Sequence, residues 1–461
     1  RYDENSISKQ QFTDKIIIAD FLSFQYLAKS ASLCFNVKDQ FLYVMKAFLK
    51  NGPKKLPDMK FEHEIEFYKS VKIDNPFICK FYGEAEDENL NYIIIEYIGG
   101  KTLYKFIKSE NDHLNKVDKI RIIIEIMSAI ENLHMRNIMY RDLKYDNIIV
   151  DERKNAFLID FDQAKIDNGG EHTQNIGSHF FVSPEQFEGR IYSIETDIYS
   201  LGIIINFILT GNNSNQFPIG FEDLYPIYKN CLNQLPTERP LISNVLNNFF
   251  DISYEIDKTQ SFLSKIFNTR EKIFISLNIE KKFQMKNIDL IVFLDKYYNA
   301  NFVNQKNSKV QFLLGEIYYE GKYITQDINK SIYYLTLSSN QNNSDAQCLL
   351  GEIYYEGNYI AQDINKSIYY LTLSSNQNNS DAQIRLAEMY YVGKYVERDI
   401  NKSIYYLTLS SNQNNSDAQY ILGEIYYFGQ YISRDINKSI HYLTLSLDQN
   451  NSYAQYLLGE I

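Results

Sequence analysis

Asp142, Asn147 and Asp160 fall within one run, YRDLKYDNIIVDERKNAFLIDFD, at positions 140–162. Carboxylate and amide oxygens, gathered with no histidine or cysteine among them, suit a hard cation such as Mg2+. The usual reason to collect them is a Mg2+ that rides on a nucleotide. The plainer alternative is a polar turn between strands, with each side chain merely solvated.

Such convergence needs particular elements. Two short apolar β-like runs, 148–150 and 157–160, flank a polar turn, which predicts a tight hairpin with the three oxygen donors on its adjoining loops. Upstream, YVMK at 43–46 reads as an apolar strand ending in Lys46. FEHEIEFYKSV at 61–71 then follows, with helical spacing of Phe61, Ile65, Tyr68 and Val71. YIIIEYIGGKTL at 92–103 reads as a buried strand that turns at its glycines.

In order and spacing these segments resemble the eukaryotic protein kinase domain of the serine/threonine type. The resemblance covers roughly residues 16–252 and implies a two-lobed α+β fold that uses ATP and Mg2+. It makes Asp142 the group that receives or orients the substrate hydroxyl proton, with Lys144 neutralising the γ-phosphate. Lys46 would grip the α and β phosphates, while Asn147 and Asp160 would hold Mg2+. Glu64 would orient Lys46, with Glu62 and Glu66 as alternatives one helix face away. Ile95 would be the gatekeeper, and Glu96 to Ile98 would offer backbone groups to adenine beside Val44. Downstream, GSHFFVSPE at 177–185, TDIYSLG at 196–202 and PTERP at 236–240 match further landmarks. By that match Asp197 anchors the catalytic-loop backbone and Glu185 pairs with Arg239. Lys144 and Ser178 point to serine or threonine as acceptor. Arg141 would pair with a phosphate on Thr173 and order the loop; the other reading of Thr173 is an unmodified polar residue.

The chain departs from the family pattern at four places. The phosphate-covering loop reads YLAKSASL at 26–33, with Ala28 and Ala31 where glycines are expected and Leu33 after them. A loop without glycine is a stiffer and poorer lid. Val44 replaces a small alanine, and DFD at 160–162 replaces DFG. Tyr140 stands for the usual histidine, a substitution of little consequence. The expected function is therefore an ATP-dependent serine/threonine protein kinase; the alternative is a pseudokinase scaffold that binds nucleotide weakly and acts through its tail.

That tail repeats itself. NKSIYYLTLSSNQNNSDAQ recurs almost verbatim, and Gly315, Gly351, Gly423 and Gly459 fix a period near 36, with Ala387 in the third copy. This period implies a helix-pair solenoid. Asp327, Asp363, Asp399 and Asp435 suit starts of second helices, and Gly321, Gly357, Gly393 and Gly429 suit ends of first helices. The pattern resembles Sel-one-like repeats, relatives of tetratricopeptide repeats, and implies an all-α domain over 305–461 whose concave groove binds a protein. Residues 253–304 are too apolar for a floppy tether and are expected as a partly helical linker.

Composition sets the remaining bounds. The 461 residues allow two or three domains, and the 44% apolar content is that of a globular protein. A formal charge of −11 with no basic cluster argues against nucleic acid as a partner. Cys34, Cys79, Cys231 and Cys348 show no paired spacing, which implies a reducing, cytoplasmic compartment. No apolar run reaches the roughly 20 residues of a membrane span, and no signal peptide is evident. Arg1 and the position of Ile461 inside a repeat suggest a piece of a longer chain.

Overall fold

Alternation of apolar and polar residues builds the sheet that carries Lys46. The computed structural model describes residues 21–28, 31–50, 56–70, 75–166, 180–190, 193–212, 220–256, 261–279, 288–298 and 307–461. Strands β1 (Phe21–Ala28), β2 (Ala31–Asn36), β3 (Leu42–Leu49), β4 (Phe81–Glu86) and β5 (Leu90–Glu96) form an antiparallel sheet in the order β1-β2-β3-β5-β4. One face buries Cys34, Tyr43 and Met45 against Tyr82, Ala85 and Ile94. The other face carries Leu33, Val44 and Ile95 in one cross-strand row and Ala31, Lys46 and Ile93 in the next. Lys46 thus lies inside β3, not at its end as the sequence suggests. Helix α1 (Leu56–Ser70) packs against β3 and β5 and begins before the apolar spacing at 61–71 shows it.

The helical lobe is organised around α3 (Lys116–His134), which follows β6 (Gly100–Thr102) and α2 (Leu103–Glu110). A capping box of Asn115 and Asp118 starts α3, and its residues from Lys119 onward are nearly all buried, as expected of a central core helix. β7 (Ile138–Met139), β8 (Ile148–Asp151), β9 (Ala156–Leu158) and β10 (Lys165–Ile166) form two small ladders around the loops that hold Asp142 and Asp160. Helices α4 (Pro184–Phe187), α5 (Glu195–Thr210), α6 (Tyr225–Cys231) and α7 (Ile242–Ile256) complete the lobe, with α5 and α7 against α3.

Residues 253–304 contribute the end of α7 and the whole of α8 (Ser261–Ile279) and α9 (Ile288–Tyr297) to the first of two compact units, 1–304 and 305–461. Arg270 of α8 is fully buried. Its Nε donates to Glu131 Oε2 of α3 at 2.9 Å, its Nη1 to Asn247 Oδ1 of α7 at 2.6 Å, and its guanidinium lies 4.0 Å from the centre of the Phe293 ring on α9. One side chain ties four helices together.

The second unit is the expected all-α array: α10 (Ser308–Glu320), α11 (Ile328–Ser339), α12 (Ser344–Glu356), α13 (Ile364–Ser375), α14 (Ser380–Val392), α15 (Ile400–Asn412), α16 (Ser416–Phe428), α17 (Ile436–Leu447) and α18 (Ser452–Glu460). Asp327, Asp363, Asp399 and Asp435 each accept an N-cap hydrogen bond at 3.0 Å. Gly321, Gly357, Gly393 and Gly429 end the first helices in the left-handed region. Gly351 marks a close approach between helices, since a Cβ there would meet the Leu371 side chain at 2.6 Å. The third copy places Ala387 against Leu407 instead.

Candidate functional site

Lys46 is the hub of the site. Its ammonium lies 2.7 Å from Glu64 Oε1 of α1 and 2.7 Å from Asp160 Oδ1 beyond β9, so it joins sheet, helix and loop. Glu62 and Glu66, the alternatives by sequence, are exposed, whereas Glu64 is buried. Burial alone would pull the Lys46 ammonium down, but the Glu64 and Asp160 carboxylates outweigh it and hold it above the ordinary lysine value. Lys46 therefore stays charged at any physiological pH.

The catalytic-loop candidates converge a short distance away. Lys144 Nζ donates to Asp142 Oδ2 at 2.5 Å, and Asn147 Nδ2 donates to the same oxygen and to the Asp142 carbonyl, both at 2.9 Å. Burial pushes the Asp142 carboxyl above its ordinary value, against the pull of Lys144 and Asn147, and the Asp162 charge adds to the rise. The Asn147 amide nitrogen is engaged by Asp142, which leaves its oxygen as the end a cation would meet. The amide of Ile159 donates to the Asn147 carbonyl at 2.9 Å, which brings Asp160 beside Asn147. Two hard oxygen donors from neighbouring loops fit Mg2+, which takes few protein ligands and completes its shell with phosphate and water.

Buried polar contacts fix this geometry from behind. Asp197 of α5 accepts from the amides of Tyr140 and Arg141, both at 2.8 Å, and its Oδ2 lies 2.9 Å from His134 Nε2. Glu185 and Arg239 form a bidentate pair at 2.6 and 2.7 Å, both side chains buried. Burial would raise the Glu185 carboxyl, but Arg239 holds it below the usual glutamate range. The Tyr140 hydroxyl donates to the Ile159 carbonyl, and the Phe161 ring stacks on Phe67 and meets Tyr68 and Tyr140 edge-on. These rings couple α1, which carries Glu64, to the segment that carries Asp160. Arg141 and Asp160 both adopt positive φ, 68° and 65°, a conformation held where surrounding contacts enforce it. Asp162 is not left-handed, so an L side chain is unstrained where the family pattern has glycine.

Part of the expected adenine site lies on the Lys46 face of the sheet. Leu33, Val44 and Ile95 form one row, and Ala28 of β1 pairs with Ala31 of β2. The Glu96 amide donates to the Lys80 carbonyl at 2.8 Å, and residues 97–99, Ile98 among them, leave the ladder. Arg141 Nε donates to the Gln163 carbonyl at 2.6 Å. Thr173 and Ser178 lie outside the described residues. His134, Phe67 and Phe161 were not singled out by sequence; their roles come from contacts across 63 and 94 positions that no local spacing signals.

Comparison with known proteins supplies the families of both regions. The protein kinase domain family matches residues 29–272, over half of the chain. The Sel1 repeat family matches 308–343, 344–379, 380–415 and 416–451. The serine/threonine-protein kinase PrkC of Bacillus subtilis is 34% identical over 149 residues, which are 32% of this chain and 23% of that kinase. A probable serine/threonine-protein kinase of Clostridium acetobutylicum is 36% identical over 154 residues, 33% of this chain and 23% of its own length. An Aurora kinase of Eremothecium gossypii is 30% identical over 156 residues, 34% of this chain and 42% of that protein. The chain thus spans less than half the length of each relative. It belongs to the protein kinase domain family, with four Sel1 repeats following that domain.

Proposed function

We propose that the chain transfers the γ-phosphate of ATP to serine or threonine hydroxyls of proteins, and that its repeats recruit the protein to be modified or a regulator. The observation that carries this reading is the contact of Lys46 with both Glu64 and Asp160. A charged lysine fixed between sheet, helix and loop is what alignment of a polyphosphate requires, because phosphoryl transfer depends on positioning and charge neutralisation. Lys46 orients the phosphates, and Asn147 with Asp160 would hold Mg2+. When bound, Mg2+ neutralises charge on the transferring group. Lys144 and Asn147 fix Asp142 through Oδ2 and leave Oδ1 to accept the proton of the substrate hydroxyl.

The four cysteines are buried and unpaired, which supports a reducing compartment such as the cytoplasm. Among the described residues no helix is long and apolar enough to cross a membrane.

Asp142→Asn and Lys46→Met test the reading. Each is expected to lower phosphate transfer from Mg-ATP by about 100-fold or more, while far-UV circular dichroism stays close to that of the unmodified chain; melting stays close for Asp142→Asn and falls for Lys46→Met, which leaves the buried Glu64 without its partner. Equal turnover by Asp142→Asn and the unmodified protein would overturn the enzyme assignment.

A further inference from the structure

The repeats carry a groove of about 680 Å3 lined by the first helices of successive pairs, α10, α12, α14, α16 and α18. Its lining includes Glu316, Asp345, Glu352, Asp381, Glu388 and Asp417, against a single cation, Arg385. The 36-residue period produces this arrangement. On α12, Asp345, Cys348, Leu349 and Glu352 stand at i, i+3, i+4 and i+7 and so share one face. The same positions recur on α14 and α16. The groove therefore has an exposed row of aspartates, a half-buried row of glutamates, and between them a floor that includes Phe312, Cys348, Ile384 and Tyr420.

Arg385 shows what these rows accept. It stands where neighbouring copies have Leu349 and Ile421, and its guanidinium lies 3.1 Å from Glu352 of α12 and 3.0 Å from Glu388 of α14. Carboxylates from successive repeats are thus spaced so that one guanidinium can bridge them. Among the described residues Asp345 and Asp417 receive neutral donors only, the amides of Asn379 and Asn451 at 3.0 and 3.2 Å. Burial and the nearby Glu320 and Asp345 push the Glu316 carboxyl up, as an uncompensated negative groove requires.

We infer that this groove binds an extended, basic segment of a partner protein, with arginine or lysine at about every third residue and small or apolar residues between. The spacing follows from geometry: packed helices lie about 10 Å apart, and an extended chain advances about 3.3 Å per residue. A bound strand then meets fresh carboxylates every three residues and lays its apolar residues on the floor. The inference rests on the reading that the repeats recruit protein and adds the chemistry of the partner.

The test measures binding of three synthetic peptides to the full chain by fluorescence anisotropy: one with arginine at every third position, one of the same composition with the arginines clustered, and one with glutamate in their place. The spaced basic peptide is expected to bind at least tenfold tighter than the acidic one and tighter than the clustered one, with affinity falling as salt rises. Asp381→Asn with Asp417→Asn is expected to weaken it by tenfold or more. Arg385→Leu, which introduces the residue found at position 349, is expected to tighten it several-fold by freeing Glu352 and Glu388. Equal binding of basic and acidic peptides, or indifference to both sets of substitutions, would overturn the inference. Phosphate transfer to a generic peptide, assayed on the same variants, reports separately on the kinase reading, because none of these residues belongs to the site around Lys46.

Discussion

At the scale of single residues, a buried acid of the first unit stands outside the proposed chemistry. Glu271 on α8 is 5% exposed, and its Oε1 has no hydrogen-bond partner among the described residues. Burial pushes its carboxyl up to about 7, from an ordinary value of 4.5. The folded state therefore binds this proton more tightly than the unfolded state does. Its effect is absent below pH 4.5, and stability falls as pH rises from there to about 7. At about 1.4 kcal/mol per unit, the cost above pH 7 is on the order of 3 kcal/mol. Glu271→Gln is expected to match the unmodified chain at pH 4 and to exceed it at pH 8, as read from urea midpoints at the two pH values. Equal midpoints at pH 8 would refute the shift. The residue signals that are legible in sequence are of another kind. Asp142, Asn147 and Asp160 stand in one short run, and the chain order of that run brings them together.

At the scale of elements, α8 is held to the helical lobe by charge as well as by apolar packing. Arg270 and Glu131 are both fully buried and lie 139 positions apart in sequence. A buried ion pair adds little over an apolar pair of the same size, but loss of one partner leaves an uncompensated charge that costs about 3–5 kcal/mol. Arg270→Leu is expected to lower the unfolding free energy of the first unit by that amount, read as a fall in its urea midpoint at unchanged slope. Arg270→Leu with Glu131→Leu is expected to recover most of it. If the double substitution is as unstable as the single one, packing and not charge dominates at this junction. The helices of the repeats are simpler, since each begins on its own Asp or Asn cap and each first helix before α18 ends on its own glycine. Their boundaries are set by residues within a few positions, so the sequence shows the Asp caps of the second helices and the glycines that end the first.

At the scale of the whole molecule, the proposed chemistry and the proposed recruitment fall in different compact units. The contacts described for Lys46, Asp142 and Asp160 are made by residues of the first unit. Deletion of residues 305–461 is therefore expected to leave kcat/KM on a short generic peptide within about twofold. It should lower the rate on a substrate fused to a basic segment that fits the groove, because tethering raises effective concentration without touching the chemistry. Steady-state rates on both substrates with the truncated and full-length chains check this. Equal rates on the fused substrate would show that the repeats do not recruit it, and loss of activity on the generic peptide would show that they support the first unit.

The sequence by itself determined the family resemblance, the helix-pair period, the caps, and the identity of the polar residues around Lys46. All of these reside in short ordered runs whose spacing is dictated by strand, turn and helix geometry. Tertiary structure decided which of three glutamates meets Lys46, because α1 turns Glu64 to the sheet and leaves Glu62 and Glu66 in solvent. It also decided that His134 backs Asp197, that Arg270 binds α8 to α3, and that carboxylates from separate repeats line one groove. These pairings join residues tens of positions apart or more. Their closeness depends on how whole helices pack, and no local pattern of residues encodes that.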